Sequence, residues 1–560
     1  MNSIGAFTFV LHSHLPYARL AGRWPHGEEW IHEAATETYI PLLETLYDLK
    51  QENIPFKLTI GITPTLAEQL ADADVKAHLV QYLDERLAAA EADIALFKND
   101  NAHLLSLAEY FHKEYTRVKD AFLNRFNQDL IGAFRTLQDE GYIDILTSAA
   151  THAYLPLLER DSTIRGQIAT GMQTYRRLFG KEARGIWLPE CAYRPAFKDD
   201  DGNTRVGFET FLDEYNLRYF FSETHSITGG QPSGVATGDI IGPYGEINRQ
   251  YFLPDTAILD TPERTATTYQ PYFVSDSTQP QSGKHSGVTV IGRNNELGKQ
   301  VWSAEYGYPG DFDYREFHKK SGTSGLRYWR VTGDTVGLGE KDYYHPEWAQ
   351  YKIEQHAEHF AHKVGDLLRE YHDDTGEYGV ISANYDAELF GHWWHEGVRW
   401  LGLVLRHLSS RPDIDIVTTE QFLEQHPPKY VLDLPESSWG MGGTHFVWNN
   451  AETFWMWKPI HEVEQRLERL AQQYETPTDD ERTVLNQMAR EALLLQSSDW
   501  EFLITTNQAR QYAIQRFSQH LERFNQLAES LESDAPNVTY ANELWELDKV
   551  FVDIDYRWFA

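Results

Sequence analysis

The chain is poor in the residues that build crosslinks and metal clusters. Its 560 residues hold one cysteine, Cys191, which excludes an internal disulfide and a multi-cysteine metal site. A lone thiol suits a reducing compartment, so the protein is read as cytoplasmic. Long hydrophobic runs are missing as well. No stretch of about 18 apolar residues occurs, which excludes a membrane-spanning helix. The opening residues, MNSIGAFTFVLHSHLPY, carry neither a basic leader nor a small-residue cleavage site, so no signal peptide is expected. Positive charge is short: 50 Lys and Arg stand against 84 Asp and Glu, a net charge of −34. Phosphate recognition needs clustered cations, so nucleic acid and membrane surfaces are not expected partners. There is no internal repeat and no low-complexity tract.

What is abundant is aromatic surface, with 16 Trp and 31 Tyr. Many of the tryptophans stand beside Gly, Asn, His and Glu instead of inside apolar runs. A ring face next to hydrogen-bonding groups suits a sugar, whose C–H face stacks while its hydroxyls need donors and acceptors.

Seven short β-type runs recur along the chain: Ala6–Leu11, Phe56–Ile60, Ile143–Leu146, Gly185–Leu188, Arg218–Phe221, Gly379–Ser382 and Asp413–Val417. Helical stretches separate most of them, the pattern of βα repeats around a parallel sheet. Ionisable residues follow five of the seven: His12 and His14, His152, Glu190, His225, and Asp386. Ligands meet parallel sheets at the carboxyl ends of strands, in barrels and in open doubly wound sheets alike. Spread over so many strands, these residues favour a ring, and an α/β barrel is expected over 1–66 and 141–419. Helical spacing of Leu79, Leu83, Leu87, Ala90 and Ile94 predicts a helical insertion over 67–140. Residues 226–345 read as one long active-site loop region. From residue 420 to 560 the steps of three and four at Ile460, Val463, Leu467 and Leu470 predict a helical C-terminal domain. Asp479 and Asp480 are its candidate caps.

Two carboxylates carry the chemistry. Glu190 lies in WLPECAY and Asp386 in NYDAELFGHWWHEG. An acid among aromatics is poorly solvated, and two acids in different surroundings divide into a nucleophile and a proton donor. Glycoside cleavage uses such a pair. The histidines leave a second reading open, because an HxH pair at a strand end (His12, His14), with His152, His225 or His392, also suits a metal-dependent hydrolase.

The motifs LHSHLPYAR, LTSAATHAYLPLL, GIWLPECAYRP, YDAELFGHWWHEG and ESSWGMGGTHFVWNN together resemble glycoside hydrolase family 57 over nearly the whole chain. The resemblance is strongest to members that cut α-1,4 links and form α-1,6 branches. It implies an incomplete (β/α)7 barrel with a helical insertion and an α-helical C-terminal domain. It also implies a retaining mechanism without metal or other cofactor, acting on an α-glucan in a monomer or small homo-oligomer. Glu190 would be the nucleophile and Asp386 the acid/base. His12, His14, His152, His225, Arg293 and His392 would bind substrate, as would Trp24, Trp30, Trp302, Trp439, Trp448 and Trp500. Two departures from the family pattern bear on the outcome. The region around Gly229 to Gly287 is lengthened, with Tyr269 and Tyr272 as candidates for an aromatic loop tip, and Asn294 replaces an expected acid. Either change favours water as the acceptor, which keeps an α-amylase or 4-α-glucanotransferase as the alternative. A silent glucan-binding protein and a metal-dependent deacetylase are the remaining readings.

Overall fold

The computed structural model describes residues 3–199, 201–232, 241–242, 245–246, 259, 261–303 and 306–560. Its centre is the strand β1 (Gly5–Ser13), buried along its whole length. GAFTFVLHS is apolar on both faces, as a strand with neighbours on each side and layers above and below must be. Around it run β2 (Leu58–Ile62), β3 (Ile143–Ser148), β4 (Ile186–Trp187), β5 (Tyr219–Ser222), β6 (Tyr272–Ser275), β7 (His285–Gly292), β8 (Gly379–Asp386) and β9 (Ile414–Ile416).

The parallel path runs β8, β1, β2, β3, β4. A parallel bridge from Gly185 to Tyr219 carries it on to β5, and β5 pairs in parallel with β7. Between β7 and β8 the seam is crossed by a hydrogen bond from the Asn294 N–H to the Ser382 carbonyl at 2.9 Å. The result is the expected incomplete barrel, with one strand exchanged. The predicted run at Asp413–Val417 forms only the short β9, which pairs with the first residues of β1, Gly5–Phe7. Its place in the ring belongs to β7, inside the segment read as a loop. Residues 226–345 also contain β6, antiparallel to β7, and a helix, Asn295–Trp302. Asn294 is the N-cap of that helix, its Oδ1 accepting from the Leu297 N–H at 3.0 Å.

The outer layer meets the barrel through aromatic stacks. Phe9 lies parallel to Phe360 at 5.8 Å, on the helix Pro346–Thr375, which ends at Gly376 in the left-handed conformation (φ 71°). Helices Ala73–Phe97 and Ala102–Asp120 pack together after β2. At the C-terminus, Phe454–Gln473, Asp479–Leu495, Arg510–Glu532 and Val538–Leu547 form a bundle. The second of these starts from a capping box of Thr478 with Glu481; Asp479 and Asp480 fall in the first turn instead of capping it. Arg19 ties the layers together. It donates to Asp72 at 3.0 Å and to the carbonyls of Glu546 and Leu547 at 2.8 and 2.9 Å.

Candidate active site

The carboxyl ends of five adjacent strands supply the centre. β8 ends on Asp386 beside His12 of β1, Thr63 follows β2, His152 follows β3, and Glu190 follows β4. Three of the loop residues are held in the left-handed region, His152 (φ 54°), Glu190 (φ 61°) and Cys191 (φ 49°). Such backbone costs about 1–3 kcal/mol per residue and persists where its surroundings enforce it.

Glu190 is enclosed. Its Oε2 accepts the Trp439 indole N–H at 2.5 Å, and its carbonyl accepts the Trp439 backbone N–H at 3.0 Å. His152 Nδ1 stands 3.8 Å from Oε1. Burial pushes the Glu190 carboxyl up to about 8; the Trp439 hydrogen bond opposes the rise, and the charges of Asp386 and Asp499 add to it. Burial also pushes Asp386 up, to about 6, against the pull of Arg293 and His14. Arg293 itself is paired with Glu223 at 3.0 Å.

The three histidines form one stack. His14 lies over His152 at 4.0 Å, and His12 lies flat on Trp187 at 4.6 Å. His12 Nε2 meets His152 Nε2 at 3.1 Å, so one ring donates and the other accepts. Burial, and then the neighbouring His14, holds both rings well below the usual imidazole range, and they are neutral. His14 is fixed between Thr63 Oγ1 at 3.0 Å and Asp499 at 3.1 Å.

Asp499 and its neighbour Ser498, whose Oγ meets His152 Nδ1 at 3.0 Å, come from the C-terminal helices. Neither was flagged by its sequence setting, a polar SSD between two helical patterns. Glu388, two residues beyond Asp386, is a further member of the site. It accepts from the His14 backbone N–H at 3.2 Å and from the Tyr39 hydroxyl, and burial pushes it to about 8.

The other predicted residues divide. His225 is buried against Gly443, where a Cβ would stand 2.8 Å from its Nε2. Trp439 reaches the centre, and Trp302 is partly exposed with its ring edge-on to Trp393 at 6.1 Å. Trp24 is exposed, with the Lys320 ammonium 5.2 Å over its ring. Trp448 is buried flat against Tyr154 at 4.0 Å, one layer behind the site. Trp30 is buried edge-on to Tyr512. Trp500 has no face open to a sugar: it is fully buried and donates to the Leu494 carbonyl at 2.9 Å. His392 belongs to a buried charge cluster, 2.8 Å from Glu37, which Arg327 and Arg315 also face.

Tyr269 and Tyr272 are not loop tips. The Tyr269 carbonyl accepts from Val380 at the amino end of β8, far along the strand from Asp386, and its ring lies flat on Tyr371 at 4.7 Å. Tyr272 is a buried residue of β6, pairing with Val290. An aromatic ring in an irregular stretch does not by itself mark a loop tip, and here seam packing claims both. Much of the lengthened region, 233–258, lies largely outside the described residues.

Among the described residues, the group of acid and imidazole atoms close enough to share an ion lies elsewhere, at Glu491, His520 and Asp548 in the C-terminal bundle. Arg523 already donates to Asp548 there at 2.6 Å, and Arg516 donates to His520 at 3.0 Å. Guanidinium groups fill the place a cation would take. No helix is long and apolar enough to cross a membrane, among the described residues.

Comparison with known proteins agrees with this geometry. The family model described as glycosyl hydrolase family 57 matches residues 8–435, and one for the C-terminal region of 1,4-alpha-glucan branching enzymes matches 459–559. A 1,4-alpha-glucan branching enzyme of Thermococcus kodakarensis is 46% identical over 532 residues, 94% of this chain and 74% of that protein. Its crystal structure matches with a TM-score of 0.89 at 42% identity, covering 100% of this chain and 96% of that one. A branching enzyme structure from Pyrococcus horikoshii gives 0.86 at 40% identity, over 99% and 97% of the two chains. The alpha-amylase AmyC from Thermotoga maritima gives 0.80 at 29% identity, over 99% of each.

Proposed function

The chain belongs to glycosyl hydrolase family 57, and from that premise we propose that it is a 1,4-α-glucan branching enzyme working with retention of configuration. The Glu190 carboxylate attacks the anomeric carbon while Asp386 gives its proton to the departing O4, leaving a glucosyl ester on Glu190. Asp386 then takes the proton of an acceptor 6-hydroxyl, whose oxygen displaces Glu190 and forms the α-1,6 link. Trp439 occupies Oε2 of Glu190, which leaves Oε1 as the attacking oxygen. The stacked rings of His12, His14 and His152 line the place of the sugar at the point of cleavage.

The observation that carries branching over hydrolysis is the C-terminal segment. Residues 459–559 match the family model described for the C-terminal region of 1,4-alpha-glucan branching enzymes, and that segment brings Ser498 onto His152 and Asp499 onto His14. The likeness to an α-amylase on the same fold keeps hydrolysis as the second reading. We place the reaction in α-glucan storage metabolism in the cytoplasm, where the buried thiol of Cys191 stays reduced. Incubation with amylose tests the choice, by counting reducing ends before and after enzymatic debranching. Ends that appear only after debranching are new α-1,6 links. Ends that appear at once, with no further rise, make water the acceptor and refute branching.

A further inference from the structure

On the outer rim of the barrel lies a strip of rings that the reaction does not use. The helix Pro346–Thr375 leads into β8 at the end opposite Asp386. The helix has 30 residues and the strand 8, so its first turns run past the catalytic end of the barrel. Trp348 and Tyr351 project there one turn apart, 44% and 61% exposed. Trp348 lies flat on His345 at 3.8 Å, and the Arg330 guanidinium stands 5.7 Å over its ring. The Tyr351 hydroxyl accepts from Gln355 at 3.1 Å. Beside them Tyr343, 37% exposed, bridges in antiparallel pairing to Trp329 with its ring 6.2 Å away.

A cluster of large exposed rings on one face marks an interaction surface. These rings are already ordered by their neighbours, so a ligand gains contact with little further loss of side-chain freedom. Charged pairs adjoin them, Arg330 with Asp342 at 2.8 Å and His345 with Glu347 at 3.1 Å, and offer donors and acceptors beside the rings. The net charge of −34 sets a second copy of the chain against itself. The occupant these features fit is neutral, with apolar faces and hydroxyl edges.

We propose that this strip is a second α-glucan site, on which a linear α-1,4 chain stacks across Trp348, Tyr351 and Tyr343 outside the catalytic cleft. The inference rests on the glucan reading above. Its use is concentration: a polymer held at the rim presents its other segments to the cleft at high effective concentration.

The test pairs Trp348→Ala/Tyr351→Ala with the ring-keeping Trp348→Phe/Tyr351→Phe. Retardation of native protein in gels containing amylopectin reads the surface site, and turnover of a short linear maltooligosaccharide reads the cleft. The alanine pair is expected to lose about tenfold in affinity for the polymer, with short-substrate turnover kept within about twofold and the phenylalanine pair close to native. Equal retardation of the native protein and the alanine pair overturns the site and leaves the glucan reading standing. A native protein that neither binds amylopectin nor acts on amylose overturns both. A native dimer that the alanine pair makes monomeric assigns the strip to a second copy and overturns the proposal. If the alanine pair melts early, Tyr351→Ala alone, at the more exposed position, carries the same comparison.

Discussion

Replacing the nucleophile should stabilise the protein, and the gain should depend on pH. In the folded chain Glu190 titrates at about 8, against 4.5 when free. A raised folded value means the native state binds the proton more tightly than the unfolded chain. Stability from this group is therefore full below about pH 4.5 and is lost as pH climbs towards 8. Each pH step within that window removes about 1.4 kcal/mol, so about 3 kcal/mol is gone at pH 7. Glu190→Gln imitates the protonated acid and keeps an oxygen for the Trp439 N–H, so it escapes the loss. With an unfolding entropy of about 2.1 cal/mol/K per residue, 560 residues give about 1.2 kcal/mol/K, and the gain appears as about 2–3 °C at pH 7. Melting followed by calorimetry from pH 4 to 8.5 should show the two proteins converging at the acid end. The gap should widen with pH while the variant's turnover on amylose falls below detection. Equal melting at every pH, or an earlier melt of Glu190→Gln at pH 8, would falsify the claim that burial dominates this carboxyl.

The rest can be checked in one enzyme preparation. Activity needs one proton on the Glu190–Asp386 pair, so kcat/KM should trace a bell with limbs near about 6 and about 8; a flat profile from pH 5 to 9 contradicts the assignment. Asp386→Asn should lower kcat by about 10²–10⁴-fold with the fold unchanged by circular dichroism, and near-normal turnover refutes its role. Trp439→Phe removes the donor that favours the Glu190 carboxylate, so kcat should drop about 10- to 100-fold and the alkaline limb, near about 8, should move to higher pH; an unmoved limb means the indole only packs. Asp499→Asn removes a charge that raises Glu190 and loosens the hold on His14, so kcat should fall while that limb moves the other way.

Much of the centre was legible because βα repetition converts position in sequence into position in space. The residue just past each parallel strand arrives at the same end, so His12, His152, Glu190 and Asp386 could be named together without coordinates. The strand exchange shows where that logic fails. The alternation in Asp413–Val417 gives a clean strand signal, yet β9 reaches only the start of β1. The ring strand His285–Gly292 opens on an exposed His285 and carries Gly287 in the left-handed region (φ 86°), features that read as loop. Trp439 and Trp500 are alike in composition, both flanked by polar residues. Backbone pairing of Ser437 with Tyr193 and of Trp439 with Glu190 puts one indole on the nucleophile, while the other turns back to a carbonyl six residues away. Ser498 and Asp499 lie 346 and 485 residues from their histidine partners. No periodicity links residues so far apart; the interface that joins them is a product of tertiary packing.

Burial raises the nucleophile's carboxyl further than the proton donor's, the reverse of the order that cleavage needs. Glu190 at about 8 keeps the proton that Asp386, at about 6, must donate. The pair therefore leans towards a protonated nucleophile beside an ionised acid. A bound glucan supplies what reverses this. Positive charge growing at the anomeric carbon stabilises a carboxylate on Glu190, and the neutral rings of His12 and His152 add no competing cation. Interactions that strengthen only as that charge develops are the ones that lower the barrier. Trp439 contributes as well, because its indole N–H holds Oε2 and so favours the carboxylate form that attacks through Oε1. Water alone brings no such charge into the site.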